Sequence, residues 1–191
     1  ILVTIPISPL MALDPNKPLS QFTLNQWSTK DGLPQNSINA IAQTPDGYIW
    51  IGTQEGLVRY DGHRFVTLDK RNTLSFEVNF VQTLFVDHTG ALWVAFEDAE
   101  VLRYDQGQWR RLETGETAIK DVQAIAEDVQ GRMYFGTSND GVWQLRWQNR
   151  TQLERPSASI CRVQNGLSSN VVRTILPISA HTIVIGTAKG I

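Results

Sequence analysis

The 191-residue chain holds one cysteine, Cys161, which excludes a disulfide framework and any cysteine-built zinc cluster. Three scattered histidines, His63, His88 and His181, are too few and too far apart to suggest a histidine metal site. Charge of one sign is also scarce: seventeen basic against nineteen acidic residues leave a net charge of −2, without the basic excess a nucleic-acid binder needs. Long apolar runs are missing too. Residues 1–13 carry no charge but are too short to span a bilayer, and Pro6 and Pro9 break a long helix. They read as the back half of an export signal or anchor remnant, with Ala12 near a cleavage point, against the plainer reading of a buried strand. Phosphate-cradling loops, nucleophile elbows and His-Glu-x-x-His motifs are absent, so no catalytic residue, metal ligand or cofactor is assigned.

What the chain has is repetition. Ile38–Thr53, Val81–Phe96 and Val122–Thr137 align, and their turn glycines Gly47, Gly90 and Gly131 fall 43 and 41 residues apart. A fourth copy, Val172–Thr187, keeps Ile185-Gly186-Thr187 and puts His181 where the turn glycine was. Within each copy, apolar residues alternate with period two between glycine turns. Ile49 and Ile51 share one face of a strand and Trp50 takes the other. Four short antiparallel strands per repeat of this length describe a propeller blade. The fold expected is therefore an all-β β-propeller of about 3.5 four-stranded blades, an incomplete part of a larger ring. The blades span about 38–80, 81–121, 122–171 and, in part, 172–191, after a lead-in over 14–37 whose stretch Phe22–Trp27 offers a ring-closing outer strand. Trp50, Trp93 and Tyr134 recur at one position and are expected to pack between adjacent blades.

Two rows of polar residues align at the start of each copy. Asn36, Asn79, Lys120 and Asn170 form one; Asn39, Gln82, Gln123 and Arg173, three residues on, form the other. In a propeller the first strand lies nearest the axis, so both rows are candidate ligand contacts, with amides and a cation suited to a polar small molecule such as a glycan. The plainer reading is turn capping by asparagine and a water-lined channel. The acidic tip Glu97-Asp98-Ala99-Glu100 offers oxygen ligands to a hard cation, but a solvated hairpin tip explains it as well.

One motif is more specific. Trp27-Ser-Thr-Lys-Asp-Gly-Leu-Pro-Gln-Asn-Ser-Ile38, followed by Asp46-Gly-Tyr-Ile-Trp-Ile-Gly-Thr-Gln-Glu-Gly-Leu-Val-Arg-Tyr-Asp-Gly62, resembles the two-component regulator propeller family. A related lead-in, Asn165-Gly-Leu-Ser-Ser-Asn-Val171, precedes the fourth copy. The resemblance covers roughly residues 20–191 and weakens in later copies, where Ala95-Phe96 replaces Gly-Thr and Tyr134 replaces Trp. It implies a non-enzymatic, periplasmic, ligand-sensing region of a bacterial signalling protein anchored in the inner membrane. The output would be a histidine kinase or a diguanylate cyclase. Its partners would be a small polar ligand, the remaining propeller blades of the parent and a second copy through dimerisation, with no nucleic acid. A protein-interaction scaffold is the alternative, and a catalytic propeller, a lyase or glycan hydrolase with paired carboxylates near the axis, is a further one.

Overall fold

The computed structural model describes residues 18, 20, 23–99, 101–112, 118–147, 158–163 and 166–191. The export-signal reading of residues 1–13 and the contributions of Phe22, Glu100 and Asn165 lie outside the described residues. The described chain is all-β, with a short 3-10 turn at Thr29–Asp31.

Strands follow the repeat. β1 (Ile38–Gln43), β2 (Ile49–Thr53), β3 (Gly56–Tyr60) and β4 (Phe65–Leu68) form one antiparallel meander. β5 (Val81–Val86), β6 (Leu92–Phe96), β7 (Val101–Asp105) and β8 (Gln108–Arg111) form a second. β9 (Val122–Glu127), β10 (Met133–Thr137), β11 (Val142–Trp147) and β12 (Ala158–Val163) form a third, and β13 (Val172–Ser179) pairs with β14 (Thr182–Thr187) as a hairpin. These are the blades expected from the period-two pattern. Each first strand lies at one edge of its sheet, and β1 adjoins β5, β5 adjoins β9 and β9 adjoins β13. The innermost edges therefore gather along one axis. Residues 23–27 carry no strand.

The cores sit between blades rather than inside them. Trp50 and Leu57 of the first blade pack with Leu84, Leu92, Val94 and Phe96 of the second. Trp93 packs with Val122 and Phe135 of the third blade, and Tyr134 with Val172 and Ile175 of the fourth copy. The recurring aromatics thus hold the interfaces, while Ile49, Ile51 and Val58 on the opposite face of the first blade pack with Leu33 of the lead-in. Blades approach so closely that a Cβ at Gly52 would lie 2.6 Å from Val81 Cγ1, and one at Gly136 2.5 Å from Val172 Cγ1.

The family-like lead-in has a residue-by-residue structural account. Asp31 closes a capping box with Ser28, accepting from its backbone N–H at 2.8 Å. Gly32 turns the chain at φ 110°, where a side chain would be strained, and Leu33 enters the core. Gln35 exchanges hydrogen bonds with Gln54 in the β2–β3 turn, both at 3.2 Å. The fourth copy departs: β13 runs on to Ser179, its register shifts between Pro177 and Ser179, and Ala180-His181 make the turn without glycine.

Candidate functional site

The first polar row divides. Asn36 Oδ1 accepts the backbone N–H of Thr29 at 2.9 Å, and Asn79 Oδ1 accepts that of Lys70 at 2.9 Å. Both staple the loop that brings the chain to its innermost strand, the capping role that asparagine takes in turns. Asn170 contributes its carbonyl, which accepts from Gly141 N–H of the third blade at 3.0 Å, and the Lys120 side chain is exposed.

The second row is built differently, and no sequence rule signalled it. In every copy the pairing of the first two strands slips at this position. Ile38 faces Thr53 and Ala40 faces Gly52, so Asn39 is an extra residue without a partner across the ladder. The same slip leaves out Gln82 between Val81 and Thr83, Gln123 between Val122 and Ala124, and Arg173 between Val172 and Thr174. Each is a β-bulge, a device that bends a strand and re-aims one side chain. Four bulges thus present Asn39, Gln82, Gln123 and Arg173 on the strands that line the axis. Asn39 Nδ2 donates to Val81 O of the next blade at 2.8 Å, and Gln82 Nε2 donates to Gln123 Oε1 at 3.1 Å. Arg173, exposed, adds a cation at the fourth bulge.

Asp121 immediately precedes β9 at the same end of the blades. It adopts φ 54°, and Asp98, in the β6–β7 turn, adopts φ 53°. Burial first, and then a hydrogen bond with the Asp98 carboxyl, raise the Asp121 pKa above the ordinary aspartate value. These are two carboxylates from neighbouring blades. Among the described residues no group of three or more His, Cys, Asp and Glu side chains is placed to hold a metal ion.

At the opposite end lies a set of residues that the sequence reading passed over. Each interfacial aromatic donates to a buried acceptor six residues earlier: Trp50 Nε1 to Thr44 Oγ1 at 3.0 Å, Trp93 Nε1 to Asp87 Oδ2 at 2.8 Å, and Tyr134 OH to Asp128 Oδ2 at 2.9 Å. Burial pushes the Asp87 pKa up, but hydrogen bonds from Thr89 and Trp93 and the charge of buried Arg103 outweigh it, so the net shift is downward. Asp128 follows the same pattern, with Arg132 and Tyr134 as donors. Spacing from the aromatic was the signal available; turn acids are usually solvated, which is why it went unread. In the fourth copy Ile178 and Val184 stand at the two positions, so acceptor and donor disappear together. These groups are satisfied within the fold, which assigns them to holding it.

Known proteins share the repeat and the fold. Residues 32–55 match the family described as Two component regulator propeller. A histidine kinase of Formosa agariphila, Histidine kinase P4, is 41% identical over 46 residues, which are 24% of this chain and 3% of that protein. The extracellular domain of a protein from B. thetaiotaomicron described as a one component system superposes with a TM-score of 0.67 at 25% identity, over 88% of this chain and 23% of the other. The extracellular domain of a B. thetaiotaomicron protein described as a hybrid two component system gives a TM-score of 0.71 at 20% identity, over 85% of this chain and 24% of the other. The chain therefore spans under a quarter of the length of these relatives. It carries a regulator-propeller repeat and shares the β-propeller fold of extracellular domains of such signalling systems.

Proposed function

We propose that this chain is part of an extracytoplasmic, ligand-recognising propeller of a membrane-bound bacterial signalling protein, with no enzymatic activity of its own. The observation that carries the reading is the bulge in all four copies, which aims a polar side chain from each innermost strand. Lost pairing is a cost that a regular strand avoids, so its recurrence at one position favours a shared task. Asn39, Gln82 and Gln123 supply amide donors and acceptors and Arg173 a charge, a set that matches the hydroxyl and carbonyl groups of a polar small molecule such as a glycan. Lys120 and Asn170 border the same end of the blades. Asn36 and Asn79, already engaged by backbone N–H groups, support the site by holding its loops. The extracellular origin of the structural relatives supports a periplasmic location, and the histidine kinase relative favours a kinase output over a cyclase. No described helix is long and apolar enough to cross a membrane.

Titration of the chain with a panel of neutral and acidic oligosaccharides, followed by intrinsic tryptophan fluorescence, tests the reading. A saccharide that binds should lose about ten- to a hundred-fold in affinity on Gln123→Ala or Arg173→Ala, the cost of one amide or charge-assisted hydrogen bond. Binding that survives every substitution in the bulge row would move recognition elsewhere and leave the row to structure.

A further inference from the structure

The joint between the second and third blades, the middle one in this chain, is edged by different residues from its neighbours. Its interior is ordinary: Trp93, Val101, Val122 and Phe135 pack together there. Along its edges, polar side chains on and beside β9 reach back to the second blade. Glu127 engages His88 with both oxygens. The His88 backbone N–H donates to Oε2 at 2.7 Å, and the ring hydrogen-bonds to Oε1 through Nδ1. The Glu127 side chain is 8% exposed, so His88 is the cover and counter-charge of a carboxylate nearly out of water. At the other end, Asp121 and Asp98 hydrogen-bond through their carboxyl groups. Ionised carboxylates only accept, so that contact holds a proton. Between the two ends, the Gln82 and Gln123 amides bridge the same joint at 3.1 Å.

Neither titratable pair has a counterpart at the other joints. Pro45 and Val86 stand at the His88 and Glu127 positions of the joint before, and Val129 and Pro177 at those of the joint after. Phe80 and Val171 stand where Asp121 stands. Histidine and acid thus occur together, at one joint. The other charged groups at that end pair within their own blades, Asp87 with Arg103 and Asp128 with Arg132. Around Asp121, Lys120 favours the ionised form and opposes burial and Asp98, which Glu97 precedes in the same turn.

We infer that the middle joint is a clasp tightened by acid: protons on the His88–Glu127 and Asp98–Asp121 pairs draw the second and third blades together, and their loss loosens that contact. A protonated ring gives Glu127 a cationic donor in place of a neutral one, and histidine is the side chain that changes charge between about pH 5 and 8. Burial, and then Asp98, raise the Asp121 pKa. Its contribution is therefore fully present below the ordinary aspartate value and is lost as pH rises through the folded one. Both pairs act in the same sense. The clasp is independent of any ligand at the bulge row.

Amide hydrogen exchange followed by NMR tests it, because the His88 N–H is itself a bond across the joint. Corrected for intrinsic exchange, its protection should be at least about ten-fold greater near pH 5.5 than near pH 8, the gain of one charge-assisted contact over a neutral one. The Gly141 N–H, which donates across the next joint to the Asn170 carbonyl, should show no such ratio. His88→Gln keeps a neutral donor at an exposed position and should remove most of the ratio at residue 88. Adding Asp121→Asn should remove the remainder, with circular dichroism unchanged. Equal protection at the two pH values in the unsubstituted chain overturns the inference. So does an equal ratio at Gly141, which assigns the effect to the whole fold, and so does a ratio that survives the double substitution.

Discussion

Asp87 illustrates how a single buried acid ties three strands together. It accepts from the Trp93 indole, from Arg103 Nε at 3.3 Å and from the Ala91 backbone N–H at 3.0 Å. Asp87→Ala leaves the 6%-exposed Arg103 with Asp105 at 2.9 Å as its remaining carboxylate and orphans the Trp93 indole and the Ala91 N–H, so about 3–5 kcal/mol is expected. Thr44→Val removes the equivalent acceptor from Trp50 but leaves no charge behind, so about 1–3 kcal/mol is expected. Urea unfolding of the two variants should rank them in that order. Asp121 behaves in the opposite sense. Its raised pKa means that folding favours the protonated acid, a contribution present below the ordinary value and lost as pH rises through the folded one. Asp121→Asn should therefore raise the melting temperature at neutral pH and have little effect near pH 3, and asparagine tolerates the positive φ that the position requires. Equal melting shifts at both pH values would detach the effect from ionisation.

Elements were the more legible level of this protein. Glycine turns and period-two runs mark the strands, and the alternation of Ile49, Trp50 and Ile51 assigns both faces of β2. The candidate rows were legible as positions but not as mechanisms. Asn36 and Asn39 look alike in sequence, yet one staples a loop and the other is squeezed out of a ladder, because register depends on the partner strand and leaves no local signature. Blade spacing was equally hidden. At Gly136 a methyl group would meet Val172 Cγ1 at 2.5 Å, so Gly136→Ala should cost about 1–3 kcal/mol through overpacking. Ala95 already holds the matching position against the third blade, so Ala95→Gly should cost about 1–2 kcal/mol through lost burial and backbone entropy, with no overpacking. Chemical denaturation of both variants measures the two losses.

Across the whole molecule, acids at the ends of the first strands set the response to pH. Asp87 and Asp128 have folded pKa values below the usual 3.8, so the stability they confer is present above that value and is lost as pH falls through the lower, folded one. Melting temperature should not fall as pH is lowered towards about 5 and should then drop steeply below about 4, the range in which paired carboxylates protonate. Asp87→Asn should flatten that drop, and an unchanged acid limb would place the sensitivity elsewhere. The bulges have a consequence of another kind. A residue outside the ladder answers to no partner strand, so evolution can rewrite it without disturbing the pairing that folds the blade. One such position per copy is a place where a propeller can change what its innermost strands present while the blades themselves stay constant.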